Sequence, residues 1–304
     1  MSDRITIIGA GAWGSALAKL TQINGYEPTI WSRNCGEDLP DTIIDRVAII
    51  AAVSMSGVRA VIAQLEGSIE SHQIIVTATK GLDAQTNLTP AQLWKNSFPD
   101  NPIVVLSGPN LSLEIKQGLP AATVVASDNA DAATKIQEIF SSPKFRVYTN
   151  DDPVGVEIAG TVKNAIAIAA GTCDGLQLGN NAKSALLTRG LAEIIRIGQY
   201  WGGKPETFYG LSGLGDLLTT CNSPLSRNYQ VGYGLAQGKT LTEVLADLQG
   251  TAEGINTTKV LIQIADRNQI YMPIVVLVDR LLQGQITAPE AIIALMSRDR
   301  KSEY

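Results

Sequence analysis

RITIIGAGAWGSALAKLTQING, residues 4–25, decides the fold of this chain. Residues 4–8 alternate with β-branched side chains and predict a strand. GAGAWG follows at 9–14, and the stretch after it predicts a helix ending near Gly25. A G-x-G-x-x-G turn between strand and helix has a mechanical reading. Gly9 permits the tight turn, Gly11 lets the backbone approach a pyrophosphate, and Gly14 lets the helix pack on the strand. The pattern alone is common; its complete strand–turn–helix context makes it specific for a dinucleotide.

Downstream runs extend the same pattern. EPTIW ends a second strand at Trp31, and apolar runs at 47–53, 73–79, 102–107 and 121–126 predict further strands, most separated by helical stretches. The expected fold is α/β: an N-terminal Rossmann domain with a doubly wound, mostly parallel sheet. After the second strand an NAD-selective site usually carries an acidic residue for the ribose hydroxyls. Here the chain reads Ser32-Arg33-Asn34, so Arg33 either pairs with a 2′-phosphate or is a solvated arginine. Lys80-Gly81 and Ser107-Gly108-Pro109-Asn110 fall at strand C-termini, the ligand edge of such sheets. Lys80 is either a surface cap or an active-site cation, and the edge favours the second.

Beyond Asp152 long helical periods replace short strands, with candidate helices over 154–171, 181–200, 213–221, 226–237, 241–247, 254–267, 274–283 and 288–297. The expected division is a nucleotide-binding domain over 1–152 and an all-helical, substrate-binding and catalytic domain over 153–304. In GTVKNAIAIAAG, 160–171, Lys163 is the only charged residue. If buried there, its charged form is disfavoured and its pKa falls toward the range of a general acid or base; the alternative is a lysine that snorkels to water. GLSGLGDLLTTCNSPLSRNYQVG, 210–232, gathers Asp216, Ser226, Arg227 and Asn228 among glycines. Arg227 offers a fork suited to phosphate, and a helix starting after Ser226 would add free N–H groups. An ordinary helix cap beside a surface arginine explains the same letters. Glu253 either faces the nicotinamide side of a cofactor or caps the helix near Ile255; capping is the simpler reading.

Composition removes several classes. A net charge of −5 excludes nucleic acid and anionic membranes as expected partners, so an anionic ligand must meet a local basic pocket. No apolar run is expected to reach the roughly 18 residues of a membrane span, and the chain enters RITIIGAG without a signal-peptide pattern. Cys35, Cys173 and Cys221 lack metal-ligand spacing and predict reduced cytoplasmic thiols; Cys221 reads as a small buried residue. The single histidine, His72, stands before a predicted strand and reads as solvated. No metal is expected. The RDRKSEY tail predicts a solvated helix end.

GAGAWGSALA, TKG, SGPN, Lys163-Asn164, GLGDLLTTC with SRN, and AEG, in that order, resemble the bacterial-type NAD(P)-dependent glycerol-3-phosphate dehydrogenases. LMSRDRKSE is similar to the end of that family, so the resemblance covers nearly the whole chain. It implies a Rossmann domain followed by a helical domain, and interconversion of dihydroxyacetone phosphate and sn-glycerol 3-phosphate for phospholipid synthesis. Lys163 takes the catalytic lysine position. Lys80, Gly108, Asn110, Asp216, Ser226, Arg227 and Asn228 fall on substrate-binding positions. Ala12, Trp13, Arg33, Lys80, Ser112, Arg227, Thr251 and Glu253 fall on cofactor contacts, beside Gly9, Gly11 and Gly14. The implied cofactor is NADP or NAD, and a homodimer is compatible with this picture. Within it, Lys80 polarises the C2 oxygen, and Asp216 holds Lys163 or the substrate hydroxyl.

The sequence departs from the family in three places. The link from Arg33 to the strand at 47–53 is short enough to omit one helix and one edge strand. Val53-Ser54-Met55 replaces Val-Pro-Ser, and Asn110 replaces Ser or Thr while keeping a hydrogen-bond donor. Two rivals remain. A β-hydroxyacid-type reductase would separate its lysine and asparagine along a helix, unlike adjacent Lys163 and Asn164. A non-catalytic NADP sensor would have no reason to keep Lys80, Lys163, Asp216 and Arg227 together.

Overall fold

The computed structural model describes residues 4–300 and 302; Lys301, Glu303 and Tyr304 of the predicted tail lie outside the described residues. The chain forms two compact units. The first runs to Thr161 and includes 198–216; the second holds 162–197 and the chain from Leu217 onward.

Seven strands build the first unit: β1 (Arg4–Ile8), β2 (Glu27–Trp31), β3 (Ala48–Ala51), β4 (Ile74–Thr77), β5 (Ile103–Ser107), β6 (Ala121–Ala126) and β7 (Phe145–Asn150). They form one sheet in the order β2-β1-β3-β4-β5-β6-β7. All neighbours are parallel except β5 and β6. Between the strands run α1 (Ala12–Ile23), α2 (Leu39–Thr42), α3 (Met55–Leu65), α4 (Pro90–Ser97), α5 (Ser112–Lys116) and α6 (Ala130–Phe140). Both sheet faces are buried, as helix-covered parallel sheets require. Ile5, Ile7, Ile50, Val76 and Val104 pack with Leu17, Ile136 and Phe140 on one side. Ile8, Ile49, Ala51 and Ile75 pack with Val58, Ile62, Leu93 and Trp94 on the other.

The short link has a clear consequence. The order 3-2-1-4-5-6 of the dinucleotide fold places a third strand outside the second; here β2 is the sheet edge. The link itself is the single turn α2, whose Leu39, with Ile43 just beyond, packs with Trp31. Strand β7 is absent from the sequence-based expectation. Its alternation, Phe145 and Val147 inside and Arg146 and Tyr148 outside, suits an edge strand and carries half the apolar signal of a central one.

The long helix α7 (Pro153–Gly175) belongs to the first unit through Thr161 and to the second from Val162. The helices that follow are α8 (Gly179–Tyr200), α9 (Asp216–Cys221), α10 (Arg227–Ala236), α11 (Leu241–Asp247), α12 (Glu253–Asn268), α13 (Pro273–Leu282) and α14 (Ala288–Met296). A 3₁₀ turn at Pro205–Tyr209 and a π turn at Leu211–Gly215 precede α9. Helix α7 corrects one expectation: by length and composition it is apolar enough to cross a membrane. Some 89% of its most apolar window is buried inside the protein, which makes it a core helix. In the second unit it meets α10 backbone to backbone. A Cβ added at Gly232 would lie 1.8 Å from the Ile168 carbonyl oxygen, and one at Gly171 would lie 2.0 Å from that of Tyr229.

Two buried carboxylates escaped the sequence reading. Glu157 on α7 accepts the Ala91 N–H at 2.8 Å, at the first turn of α4. Burial pushes its carboxyl up to about 7, against the pull of the hydrogen bonds from Thr89 and Ala91. Glu193 on α8 accepts N–H bonds from Ile274 and Val275 at the first turn of α13, and burial likewise pushes it up to about 7.

Candidate active site

The glycine turn has the mechanics its spacing predicts. Gly9 has φ +121°, and a Cβ there would lie 2.5 Å from the Ala52 carbonyl oxygen. Its N–H donates to the Trp31 carbonyl at 2.8 Å, tying the turn to the end of β2. A Cβ at Gly14 would lie 1.9 Å from the Gly9 carbonyl oxygen, whereas one at Gly11 would meet nothing within 4 Å. Gly11 is the N-cap of α1, and no side chain caps that end and no acidic residue stands in the first turn. The first turn therefore offers N–H groups beside open space, which fits a pyrophosphate. Ala12 is exposed there, and Trp13 is half-buried against the core. Arg33 is exposed just past β2, in a turn closed by the Cys35 N–H on the Ser32 carbonyl at 3.0 Å.

Also in the first unit, Lys80 follows β4. Its Nζ donates to Asp216 Oδ2 at 2.5 Å and to the Gly108 carbonyl at 3.2 Å. Asp216 is 2% exposed, so this ion pair has a dry side. Gly160 makes room for the lysine stem: a Cβ there would lie 3.4 Å from Lys80 Cε and 2.3 Å from Ser107 Oγ. Beyond Lys80 the loop is pinned. Gly81 N–H donates to Thr161 Oγ1 at 3.2 Å, and Arg59 makes a bidentate pair with Asp83 at 3.0 and 2.7 Å. The guanidinium holds the Asp83 carboxyl down at about 2. Asp216 is positioned by the π turn before it, where Gly213 packs on the Phe208 backbone. Asn110 turns its amide to β6, accepting from Thr123 Oγ1 at 2.9 Å and donating to the Ala122 carbonyl at 3.3 Å. Ser112 opens α5.

The second unit gathers the remaining motifs. Lys163 is 5% exposed on α7, between the fully buried Val162 and Ala165. Its Nζ donates to Thr220 Oγ1 on α9. The sequence motif contained Thr220, but only the fold reveals the contact. Ser226 is the N-cap of α10, its hydroxyl accepting from the Tyr229 N–H at 3.2 Å. Arg227 begins that helix and is exposed; its guanidinium lies over Gly250, where a Cβ would come within 2.9 Å of Nη1. Asn228 Oδ1 accepts the Gly254 N–H at 2.9 Å, and a Cβ at Gly254 would lie 2.8 Å from the Asn164 carbonyl oxygen. Thus Asn164, Asn228 and Gly254, from three separate motifs, meet in one close backbone contact. Thr251 is exposed before α12, and Glu253 is the first residue of that helix.

His72 is exposed, Nδ1 lying 3.4 Å from a solvated Glu70 carboxylate. The three cysteines are free; Cys173 and Cys221 are buried, and burial pushes the Cys173 thiol up. Among the described residues no cluster of three or more His, Cys, Asp or Glu has the makings of a metal site.

A Rossmann unit with this glycine turn, followed by a helical unit, defines the class: the chain is an NAD(P)-dependent dehydrogenase. Models for the N- and C-terminal parts of NAD-dependent glycerol-3-phosphate dehydrogenase match residues 4–38 with 34–133, and 152–293. The first match breaks at the shortened link. The chain is 60% identical over 301 residues to glycerol-3-phosphate dehydrogenase (NAD(P)+) of Trichormus variabilis, covering 99% of this chain and 98% of that one. It is 55% identical over 302 residues to the enzyme of the same name from Synechocystis sp., covering 99% and 95%. The crystal structure of glycerol-3-phosphate dehydrogenase from Coxiella burnetii superposes with a TM-score of 0.93 at 33% identity, covering 98% and 99%. The chain belongs to the NAD-dependent glycerol-3-phosphate dehydrogenase family.

Proposed function

We propose that this chain interconverts dihydroxyacetone phosphate and sn-glycerol 3-phosphate with NADP(H) or NAD(H), and that the glycerol 3-phosphate supplies phospholipid synthesis in the cytoplasm. The observation that carries the mechanism is Lys163, a lysine 5% exposed in an apolar helix with its amine held by a neighbouring hydroxyl. A positioned lysine amine is a group that can pass a proton to and from a reacting oxygen. The open face of Gly11 and the uncapped first turn of α1 support the cofactor assignment. When bound, the cofactor supplies a hydride to C2 of the ketone and regains it in the reverse direction.

Within this reading Lys163 gives a proton to the C2 oxygen as the alcohol forms and takes it back on oxidation. Lys80, steadied by Asp216 and the Gly108 carbonyl, polarises that oxygen. Arg227 and the first N–H groups of α10 bind the substrate phosphate, the side chain of Ser226 having fixed where the helix starts. Free cysteines support a reducing compartment. The test is oxidation of NADPH and of NADH by the purified protein with dihydroxyacetone phosphate. Lys163→Ala lowers kcat by about 100-fold or more while cofactor affinity changes little. Near-normal kcat in that variant removes Lys163 from the proton transfer.

A further inference from the structure

Asp152, just before α7, is 5% exposed, and the proposed reaction gives it no task. Both of its carboxylate oxygens are engaged. Oδ1 accepts the Gly155 N–H at 2.8 Å and so caps the first turn of α7. A cap needs only that one oxygen. Oδ2 is committed to a segment of the first unit lying 52 and 55 positions further on, where it accepts the Lys204 N–H at 2.8 Å and the Thr207 hydroxyl at 2.7 Å. Glycines let the two segments close on each other. A Cβ at Gly155 would lie 2.0 Å from Asp152 Oδ2, and one at Gly203 would lie 2.9 Å from Gly155 Cα. A buried carboxylate met by several donors fixes the backbone that donates to it.

The segment it fixes leads to Lys80. Thr207 lies in the 3₁₀ turn, and its carbonyl accepts the Gly210 N–H at 3.1 Å. The Gly210 carbonyl in turn accepts the Gly215 N–H at 3.1 Å, which closes the π turn immediately before Asp216. Packing follows the same path. Phe208, next to Thr207, is fully buried, and Gly198 and Gly203 make room for its ring: added Cβ atoms there would lie 2.1 and 2.9 Å from its Cζ. A Cβ at Gly213, inside the π turn, would lie 2.0 Å from the Phe208 carbonyl oxygen. Asp216 then holds the Lys80 amine. A π turn is a rare element found frequently at functional sites. A group that polarises a reacting oxygen loses much of its effect with a shift of about 1 Å.

We propose that Asp152 and Thr207 are positioning residues for the reaction: they set the π turn that presents Asp216, and through it the Lys80 amine, to the substrate oxygen. The inference rests on the role given to Lys80 above. Asp152→Asn places an amide donor against the N–H of either Gly155 or Lys204, and Thr207→Val removes the hydroxyl while keeping the side-chain shape. Each lowers kcat/KM for dihydroxyacetone phosphate about tenfold or more, mainly through kcat, with NADPH affinity within about twofold of wild type. Thr207→Ser keeps the hydroxyl and retains activity within about twofold. A double-mutant cycle with Lys80→Ala then separates positioning from general damage. If Asp152 and Thr207 act through Lys80, adding either variant to Lys80→Ala lowers kcat/KM by less than about a further twofold. A further tenfold loss, or about that, overturns the positioning role and leaves Lys80 in the reaction. Near-normal activity of Lys80→Ala alone overturns the role of Lys80, and this inference with it, so the two failures are distinguishable. Near-normal activity of both Asp152→Asn and Thr207→Val also overturns the inference. Thermal unfolding verifies that each variant is folded at the assay temperature. If only Asp152→Asn is unfolded, Thr207→Val carries the cycle; if both are, the contact is structural alone and the proposal falls.

Discussion

Single residues carry two sharp expectations. Among the described residues the Arg227 guanidinium forms no ion pair, and it stands at the start of a ten-residue helix. Arg227→Lys keeps the charge and loses the bidentate fork. It lowers kcat/KM for dihydroxyacetone phosphate by roughly tenfold or more, because phosphate binding positions C2 for hydride transfer. The weak activity on unphosphorylated dihydroxyacetone falls much less, and equal losses on both substrates would free Arg227 of the phosphate role. Arg33, exposed beyond β2, tests the cofactor in the same manner. Arg33→Ala weakens NADPH more than NADH by about 1.5–3 kcal/mol, the worth of a charged hydrogen bond; equal weakening shows that it does not read a 2′-phosphate. These residues were legible because each sits in a local pattern: a turn after a strand, a lysine among small apolar residues, an arginine after a helix cap. The partners that fix them were not. Lys80 meets Asp216 across 136 positions, and Arg59 meets Asp83 across 24, separations at which a sequence carries no local period or cap.

At the scale of elements, spacing predicted most strands and every long helix, because period 2 and period 3.6 report burial directly. It did not find β7, where only alternate residues are apolar, nor the antiparallel placement of β6, since strand direction depends on pairing. The close contact of α7 with α10 was also invisible, yet it sets the register between the helix holding Lys163 and the helix opened by Arg227. Gly232 is the test. Its would-be Cβ meets backbone at 1.8 Å, which a side-chain rotation cannot relieve. Gly232→Ala destabilises the protein by about 1–3 kcal/mol or more and lowers kcat/KM with it. Gly57→Ala in α3 is the matched control, with its nearest contact at an ordinary 3.6 Å. There alanine gains helix propensity and stability holds or rises by up to about 1 kcal/mol. Equal effects at the two glycines would show that the α7–α10 approach does not require Gly232.

At the scale of the whole molecule, each unit holds one buried carboxylate pushed up to about 7, Glu157 in the first and Glu193 in the second. The sign of the pH dependence follows. Below the ordinary Glu value of 4.5 both folded and unfolded chains hold the proton, and burial carries no ionic cost. Between 4.5 and about 7 the unfolded chain releases the proton while the folded chain retains it, so stability falls as pH rises. Above about 7 both forms are ionised and the full cost is present. For a shift of this size the cost is on the order of 3 kcal/mol per group. Glu157→Gln keeps an oxygen for the Ala91 N–H but cannot ionise, so its share of the decline disappears. The four tryptophans, Trp13, Trp31, Trp94 and Trp201, all belong to the first unit, so their fluorescence follows the unit that holds Glu157. Urea unfolding of the wild-type chain, monitored by that fluorescence, has its midpoint at lower urea at pH 8 than at pH 5. In Glu157→Gln the gap narrows, mainly through a gain at pH 8. A variant that keeps the full wild-type gap would show that Glu157 is already ionised at pH 5 and that its buried charge is compensated by the N-terminus of α4.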